Sequence, residues 1–188
     1  MTSKFEILES TLSGLKVLQR LPRGDSRGYF ERLFCEEELH ELLNHKQIVQ
    51  INHTSTTSSG TVRGLHYQCP PHAEVKLVSC LRGEVFDVAV DIRLESPTFL
   101  NWHAEILSAE NHRTMVIPEG FAHGFQALSD NCELLYLHTS AYAQHAEAGL
   151  RYDDARLGID WPLGVTDLSD RDIAQASLPA DFAGVDLG

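Results

Sequence analysis

Glu84-Val85-Phe86-Asp87-Val88-Ala89-Val90-Asp91-Ile92 reads as an uninterrupted strand. Side chains of a strand point alternately to its two sides. Phe86, Val88, Val90 and Ile92 therefore share one face, and Val85, Asp87, Ala89 and Asp91 the other. Just upstream, Glu74 to Leu81 reads as a second strand, with Lys76 opposite Val75 and Leu77 and a turn at Arg82-Gly83. Downstream, past a break at Ser96-Pro97-Thr98, strands are expected at Trp102 to Leu107, Thr114 to Ile117, Phe121 to Leu128 and Cys132 to Thr139. In the last of these Tyr136 and His138 share a face with Leu134. Working back toward the N-terminus, Val62 to Gln68, Gln47 to Ser55 and Gly14 to Leu21 are further strands. Arg27 to Phe34 is extended, after a turn at Pro22 to Asp25. Glu36 to Asn44 is the best helix candidate, with Leu39, Leu42 and Leu43 on one face. A short helix can begin after Ser169, with Asp170 and Asp172 in its first turn. Many short strands with regular turn signals predict an all-β fold: a jelly-roll barrel with short peripheral helices, one domain over residues 1–188.

Composition narrows the function. The chain has 188 residues, is 43% hydrophobic and 22% charged, and carries a formal net charge of -12. That balance argues against a nucleic-acid backbone or an anionic membrane as partner. A local cluster of Arg and Lys can still bind a small anion. Met1 to Ser10 has no apolar signal core, and no stretch is long enough to span a bilayer. Cys35, Cys69, Cys80 and Cys132 are widely spaced, with no CxxC pair, which fits a cytoplasmic protein with reduced thiols.

Two stretches carry chemistry. In Val62-Arg63-Gly64-Leu65-His66-Tyr67-Gln68 strict alternation puts Arg63 and His66 on opposite faces, and a bulge at Gly64 brings them together. Pro118-Glu119-Gly120-Phe121-Ala122-His123-Gly124 carries PxGxxH, the second-motif pattern of cupins, which are small jelly-roll barrels. In metal-binding cupins that histidine joins an HxH pair and a glutamate. Here Gln68 stands where the second histidine of the pair belongs, and Lys76 follows Glu74, so no metal is expected. Without a metal, the histidines can move protons, Tyr136 can donate one, and Lys76 can hold a developing oxyanion. Arg27 and Arg63, with Gln50 and Asn52 nearby, suit a diphosphate. The residues alone leave other readings open: a packed barrel histidine at His123, a buried tyrosine at Tyr136, ordinary surface arginines.

Taken together these stretches resemble one family. Arg27-Gly28-Tyr29-Phe30, Gln50-Ile51-Asn52, Arg63 to Gln68, Lys76-Leu77-Val78, Asp87 to Arg93, Ser96-Pro97-Thr98-Phe99 and Ile117 to Phe125 occur in its order. Tyr136, Tyr142, Glu147, Ile159-Asp160-Trp161-Pro162 and Leu168-Ser169-Asp170-Arg171-Asp172 complete the match. The chain resembles dTDP-4-dehydrorhamnose 3,5-epimerase, a deoxysugar enzyme with a cupin-like jelly roll. The resemblance implies His66 as catalytic base, Asp172 as the carboxylate that orients it, Tyr136 as proton donor and Lys76 beside the oxygen that becomes the enolate. It implies substrate and diphosphate contacts from Arg27, Gln50, Asn52, Arg63, His123, Glu147 and Arg171, with Tyr142 stacking on the base. It also implies a nucleotide-sugar substrate, no cofactor, and a homodimer that exchanges N-terminal strands. Position 32 departs from the pattern: Arg32 stands where the family has a thymine-contacting glutamate, and the nearest acid, Glu31, faces the other way. Looser nucleobase selection is therefore expected. The reading is an epimerase inverting C3 and C5 of a nucleotide-linked 4-keto-6-deoxyhexose. Its alternatives are a mono-epimerase, a ketoisomerase of a related deoxysugar, and a non-catalytic sugar-nucleotide sensor.

Overall fold

The computed structural model describes residues 3–188. In chain order its elements are β1 (Phe5–Glu9), β2 (Lys16–Arg20), β3 (Arg23–Asp25), β4 (Gly28–Phe30), α1 (Glu36–Leu39), β5 (Gln50–Thr56), β6 (Val62–Gln68) and β7 (Lys76–Arg82). They continue with β8 (Glu84–Asp91), β9 (Trp102–Ser108), β10 (Arg113–Ile117), β11 (Phe121–Ala127), β12 (Cys132–His138), β13 (Glu147–Gly149) and α2 (Asp170–Ile173). Two antiparallel sheets form the body, a six-stranded one ordered β1-β2-β10-β7-β12-β5 and a five-stranded one ordered β13-β6-β11-β8-β9. β3 and β4 make a separate hairpin. This is the expected jelly roll.

Alternation decides which residues meet between the sheets. Val85 and Ala89 join Val78, Cys80, Met115, Phe125 and Leu134 in the central core. The opposite face of β8, with Phe86, Val88, Val90 and Ile92, packs beneath the C-terminal segment, against Leu150, Leu157, Trp161 and Leu178. On the other sheet, Leu77, Leu18 and Leu137 turn outward to Leu39 and Leu43.

Three expectations need correction. The turn expected at Pro22 to Asp25 falls instead at Ser26 and Arg27, with Arg23–Asp25 paired in β3. The helix over Glu36 to Asn44 is a single turn, α1, followed by irregular turns. Asn44 and His45 take φ of 51° and 62°, which no right-handed helix accommodates, and Cys35 offers no side-chain cap. The leucine spacing was real, since Leu39 and Leu43 are buried, but a compact turn satisfies it as well as a helix. The strand at Phe5–Glu9 was not expected; it pairs antiparallel with β2.

The bulge at Gly64 is present. His123 lies opposite His66 and Phe125 opposite Arg63, so β6 carries one residue more than β11 between the two pairs. A Cβ on Gly64 would sit 2.5 Å from the Gly124 Cα, so the two backbones approach as only glycine allows.

Candidate active site

A cavity of about 650 Å³ opens between the two sheets. Residues paired across neighbouring strands point to the same face, and two such sets wall it. From the five-stranded sheet come His66 and His123, directly opposite each other, and Arg63 beside Phe125. From the six-stranded sheet come Gln50, His138 and Lys76 in one row, then Asn52 and Tyr136 in the next. Packed sheets lie about 10 Å apart, room for a sugar ring between walls.

His66 is anchored by α2. The Ser169 side chain caps that helix by accepting from the Asp172 backbone N–H at 3.1 Å, which turns the Asp172 carboxylate toward β6. The His66 Nε2 lies 2.6 Å from Asp172 Oδ1. Burial pushes the Asp172 carboxyl up, yet its contacts with His66 and Ser169 together hold it below the usual carboxylate range. Asp172 is therefore an ionised acceptor, Nε2–H donates to it, and Nδ1 keeps the free lone pair. Arg171 NH2 stands 3.1 Å from that Nδ1 and 2.8 Å from Nε2, while its NH1 pairs with Glu147 at 2.8 Å. Tyr142 donates its hydroxyl to the same glutamate at 2.8 Å.

The facing wall holds Tyr136. Burial, reinforced by the nearby Asp87 charge, raises its phenol well above the ordinary value, so it stays protonated at neutral pH. Its ring stacks on His138 at 6.0 Å and meets His123 edge-on at 5.9 Å. Behind His123 lies the fully buried Asp87, 2.8 Å from His123 Nε2. The second Asp87 oxygen has no partner among the described residues. Lys76 Nζ pairs with Glu74 at 3.3 Å and reaches the His66 carbonyl at 3.5 Å.

Of the residues singled out from sequence, His66, Tyr136, Asp172, Lys76, Gln50, Asn52, Arg63, His123, Tyr142, Glu147 and Arg171 all line this cavity. Arg27 does not. It sits at the turn of the β3–β4 hairpin, 87% exposed and bonded to Asp25, because the hairpin stands outside both sheets. Arg32 is likewise bound elsewhere, to Glu38, and Glu31 to His112 at 3.0 Å. Glu74, His138 and Asp87 were not singled out. Their faces were readable from alternation, but their pairings cross between strands. Gln68 does not face the site as a ligand: its amide donates to the His72 carbonyl at 3.1 Å and accepts from Ala143 N–H at 2.7 Å. Among the described residues no three His, Cys, Asp or Glu side chains converge as a metal-ligand set.

The family model described as dTDP-4-dehydrorhamnose 3,5-epimerase matches residues 9–180. A dTDP-4-dehydrorhamnose 3,5-epimerase from Shigella flexneri is 43% identical over 178 residues, 94% of this chain and 98% of its own. The crystal structure of an epimerase from Legionella pneumophila, in complex with dTDP-4-keto-L-rhamnose, superposes with a TM-score of 0.89 at 42% identity, covering 96% of this chain and 98% of that one. A 3'-monoepimerase from Streptomyces bikiniensis, in complex with dTDP-quinovose, gives 0.84 at 31% identity, covering 89% and 85%. With a family model spanning most of its length and relatives above 40% identity over nearly all of it, the chain belongs to the dTDP-4-dehydrorhamnose 3,5-epimerase family.

Proposed function

We propose that the protein inverts C3 and C5 of dTDP-4-dehydro-6-deoxy-D-glucose, giving dTDP-4-dehydro-L-rhamnose. One observation carries this: a histidine backed by a carboxylate on one wall of a cavity faces a protonated tyrosine and a lysine on the other. The 4-ketone acidifies the hydrogens at C3 and C5. His66 takes one through Nδ1 while Asp172 steadies the imidazolium that forms. The electron pair moves into the carbonyl, and the Lys76 ammonium stabilises the enolate oxygen. Tyr136 delivers a proton to the opposite face of the carbon, and the centre inverts. No redox cofactor enters this balance. Arg171 NH2 stands 2.8 and 3.1 Å from the two His66 ring nitrogens, so its guanidinium has to move aside for a substrate to reach the base. A diphosphate, for which arginine forks are suited, gives it somewhere to go.

Arg63, Gln50, Asn52, His123, Glu147 and Arg171 hold the nucleotide and diphosphate, with Tyr142 stacking on the base. The chain works as a single domain, in the cytoplasm, as a homodimer. Support for the dimer comes from Tyr29 and Phe30, 59% and 74% exposed on their hairpin, and from Val49 and Ile51 exposed beside the sheet edge at β5. Exchange of N-terminal strands is the route by which Arg27 reaches a substrate in the partner's cavity. Support for the cytoplasm comes from four free cysteines. No described helix is long and apolar enough to cross a membrane.

The test is incubation with dTDP-4-keto-6-deoxyglucose in heavy water. Deuterium at both C3 and C5, with net inversion, is expected. Deuterium at C3 alone makes the protein a mono-epimerase, and a shifted ketone makes it a ketoisomerase. Binding with no incorporation makes it a sensor and refutes catalysis.

A further inference from the structure

Glu74 and His138 belong to no step of the mechanism above, yet both line the cavity. Glu74 is only 9% exposed, and a carboxylate is costly to bury without strong partners. It has two. Its Oε1 lies 3.3 Å from Lys76 Nζ and its Oε2 lies 2.8 Å from His138 Nδ1. The contact has one polarity. Burial pushes the Glu74 carboxyl up, but His138 and Lys76 together hold it below the ordinary range, so it accepts and Nδ1–H donates. The other ring nitrogen, Nε2, then accepts from the Asn52 amide at 3.3 Å.

The chain of contacts continues in the same sense. The Asn52 carbonyl oxygen accepts from the Gln50 amide at 3.2 Å, and Gln50 Oε1 accepts from the Tyr142 backbone N–H at 2.9 Å. Every donor, from Tyr142 through Gln50, Asn52 and His138, points toward Glu74. A fixed series of this kind holds each member in one rotamer and one tautomer. It ends on a lysine whose four-carbon stem would otherwise wander.

We propose that Glu74 and His138 are a positioning pair for this reaction: the carboxylate fixes the Lys76 ammonium at the enolate oxygen, and the imidazole ties that carboxylate to the nucleotide-facing residues Asn52, Gln50 and Tyr142. The imidazole has a second effect. By drawing part of the carboxylate's charge it leaves Lys76 more of its field for the substrate. The pair thus links occupancy of one end of the cavity to the geometry at the other. The proposal rests on the epimerase reading and adds residues that the reading does not use.

The experiment is a double-mutant cycle with dTDP-4-keto-6-deoxyglucose, reading kcat, KM and solvent deuterium incorporation. Glu74→Gln keeps the size and an acceptor for Lys76 but removes the charge. It should lower kcat about tenfold to a hundredfold, the size of effect produced by a small misplacement of a stabilising group. KM should change less than about threefold, and exchange and inversion should fall together, because the enolate itself is less stable. In a Lys76→Met background the same substitution should cost no further kcat, whereas a purely structural role would cost the same in both backgrounds. His138→Gln, read the same way at smaller size, carries the test should Glu74→Gln fail to fold. Wild-type turnover with an unchanged kcat in these variants, or with costs that add fully to Lys76→Met, overturns the positioning role alone. A wild type that incorporates no deuterium overturns the epimerase reading and this proposal with it.

Discussion

Gly64→Ala is the sharpest single perturbation of the site's scaffold. Gly64 has φ of +123°, a region that side chains other than glycine's rarely enter, at a strain of about 1–3 kcal/mol. Its new methyl would sit 2.5 Å from the Gly124 Cα and 2.8 Å from the His123 carbonyl oxygen, against an ordinary separation of about 3.5–4.0 Å. Both obstacles are backbone, so no side chain can swing aside, and overpacking of this kind costs about 1–3 kcal/mol. Together the substitution should cost about 2–6 kcal/mol, a large share of the roughly 5–15 kcal/mol that stabilises a folded domain. At about 2–4 °C per kcal/mol, Tm should fall by about 4–24 °C. The strands forced apart are β6 and β11, which carry His66 and His123, so an ångström of separation should also reduce kcat by about a hundredfold. Gly158→Ala is the control. There φ is +57° and nothing among the described residues lies within 4 Å of the added Cβ, so only the strain of about 1–2 kcal/mol remains and kcat should hold. Thermal melts and initial rates decide between them. A Gly64→Ala protein that melts within 2 °C of wild type (approximately) and turns over at the wild-type rate would refute the argument that close backbone approach holds the bulge.

Tyr136→Phe should retain exchange of the C3 hydrogen with heavy water but lose inversion by about 10²–10⁴-fold, and His66→Ala should lose both; loss of exchange in the tyrosine variant would mean the phenol acts before the enolate forms. Asp172→Asn should be a milder His66 lesion, visible as a lower kcat with unchanged melting, since the imidazole keeps a neighbour but not its ionic partner. Chelation should leave turnover intact, because Gln68 is committed to backbone partners; metal-dependent turnover would overturn that view. Acid should destabilise through Asp172 and Glu74. Both are held below their unfolded values of 3.8 and 4.5, so the stability they contribute is present above those values and is lost as pH falls through their lower folded ones. Urea midpoints followed from neutral pH into that window should fall, and Glu74→Gln should flatten part of the fall.

The strands were legible because the barrel's two-fold alternation is a local property. The face assignments on β8, the bulge at Gly64, and the grouping of Tyr136 with His138 all follow from spacing and one glycine, and the structure has all three. Phe5–Glu9 escaped because a five-residue strand with glutamates at Glu6 and Glu9 shows too little alternation to distinguish it from a polar terminus. What spacing cannot supply is the partner of a buried charge. Asp87 meets His123 across two strands, Glu74 meets His138 across 64 positions, and Asp172 meets His66 across 106. Each match depends on how the whole fold brings distant segments together. Those matches are also where stability and function part. Buried ion pairs seldom outperform apolar residues of the same volume, and the Asp87 carboxyl keeps one oxygen with no partner among the described residues. A barrel selected only to fold would line this cavity as it lines the core beside it, with groups like Val78, Met115 and Leu134. The interior charges therefore mark the part of the barrel at which chemistry, rather than packing, decided the residues.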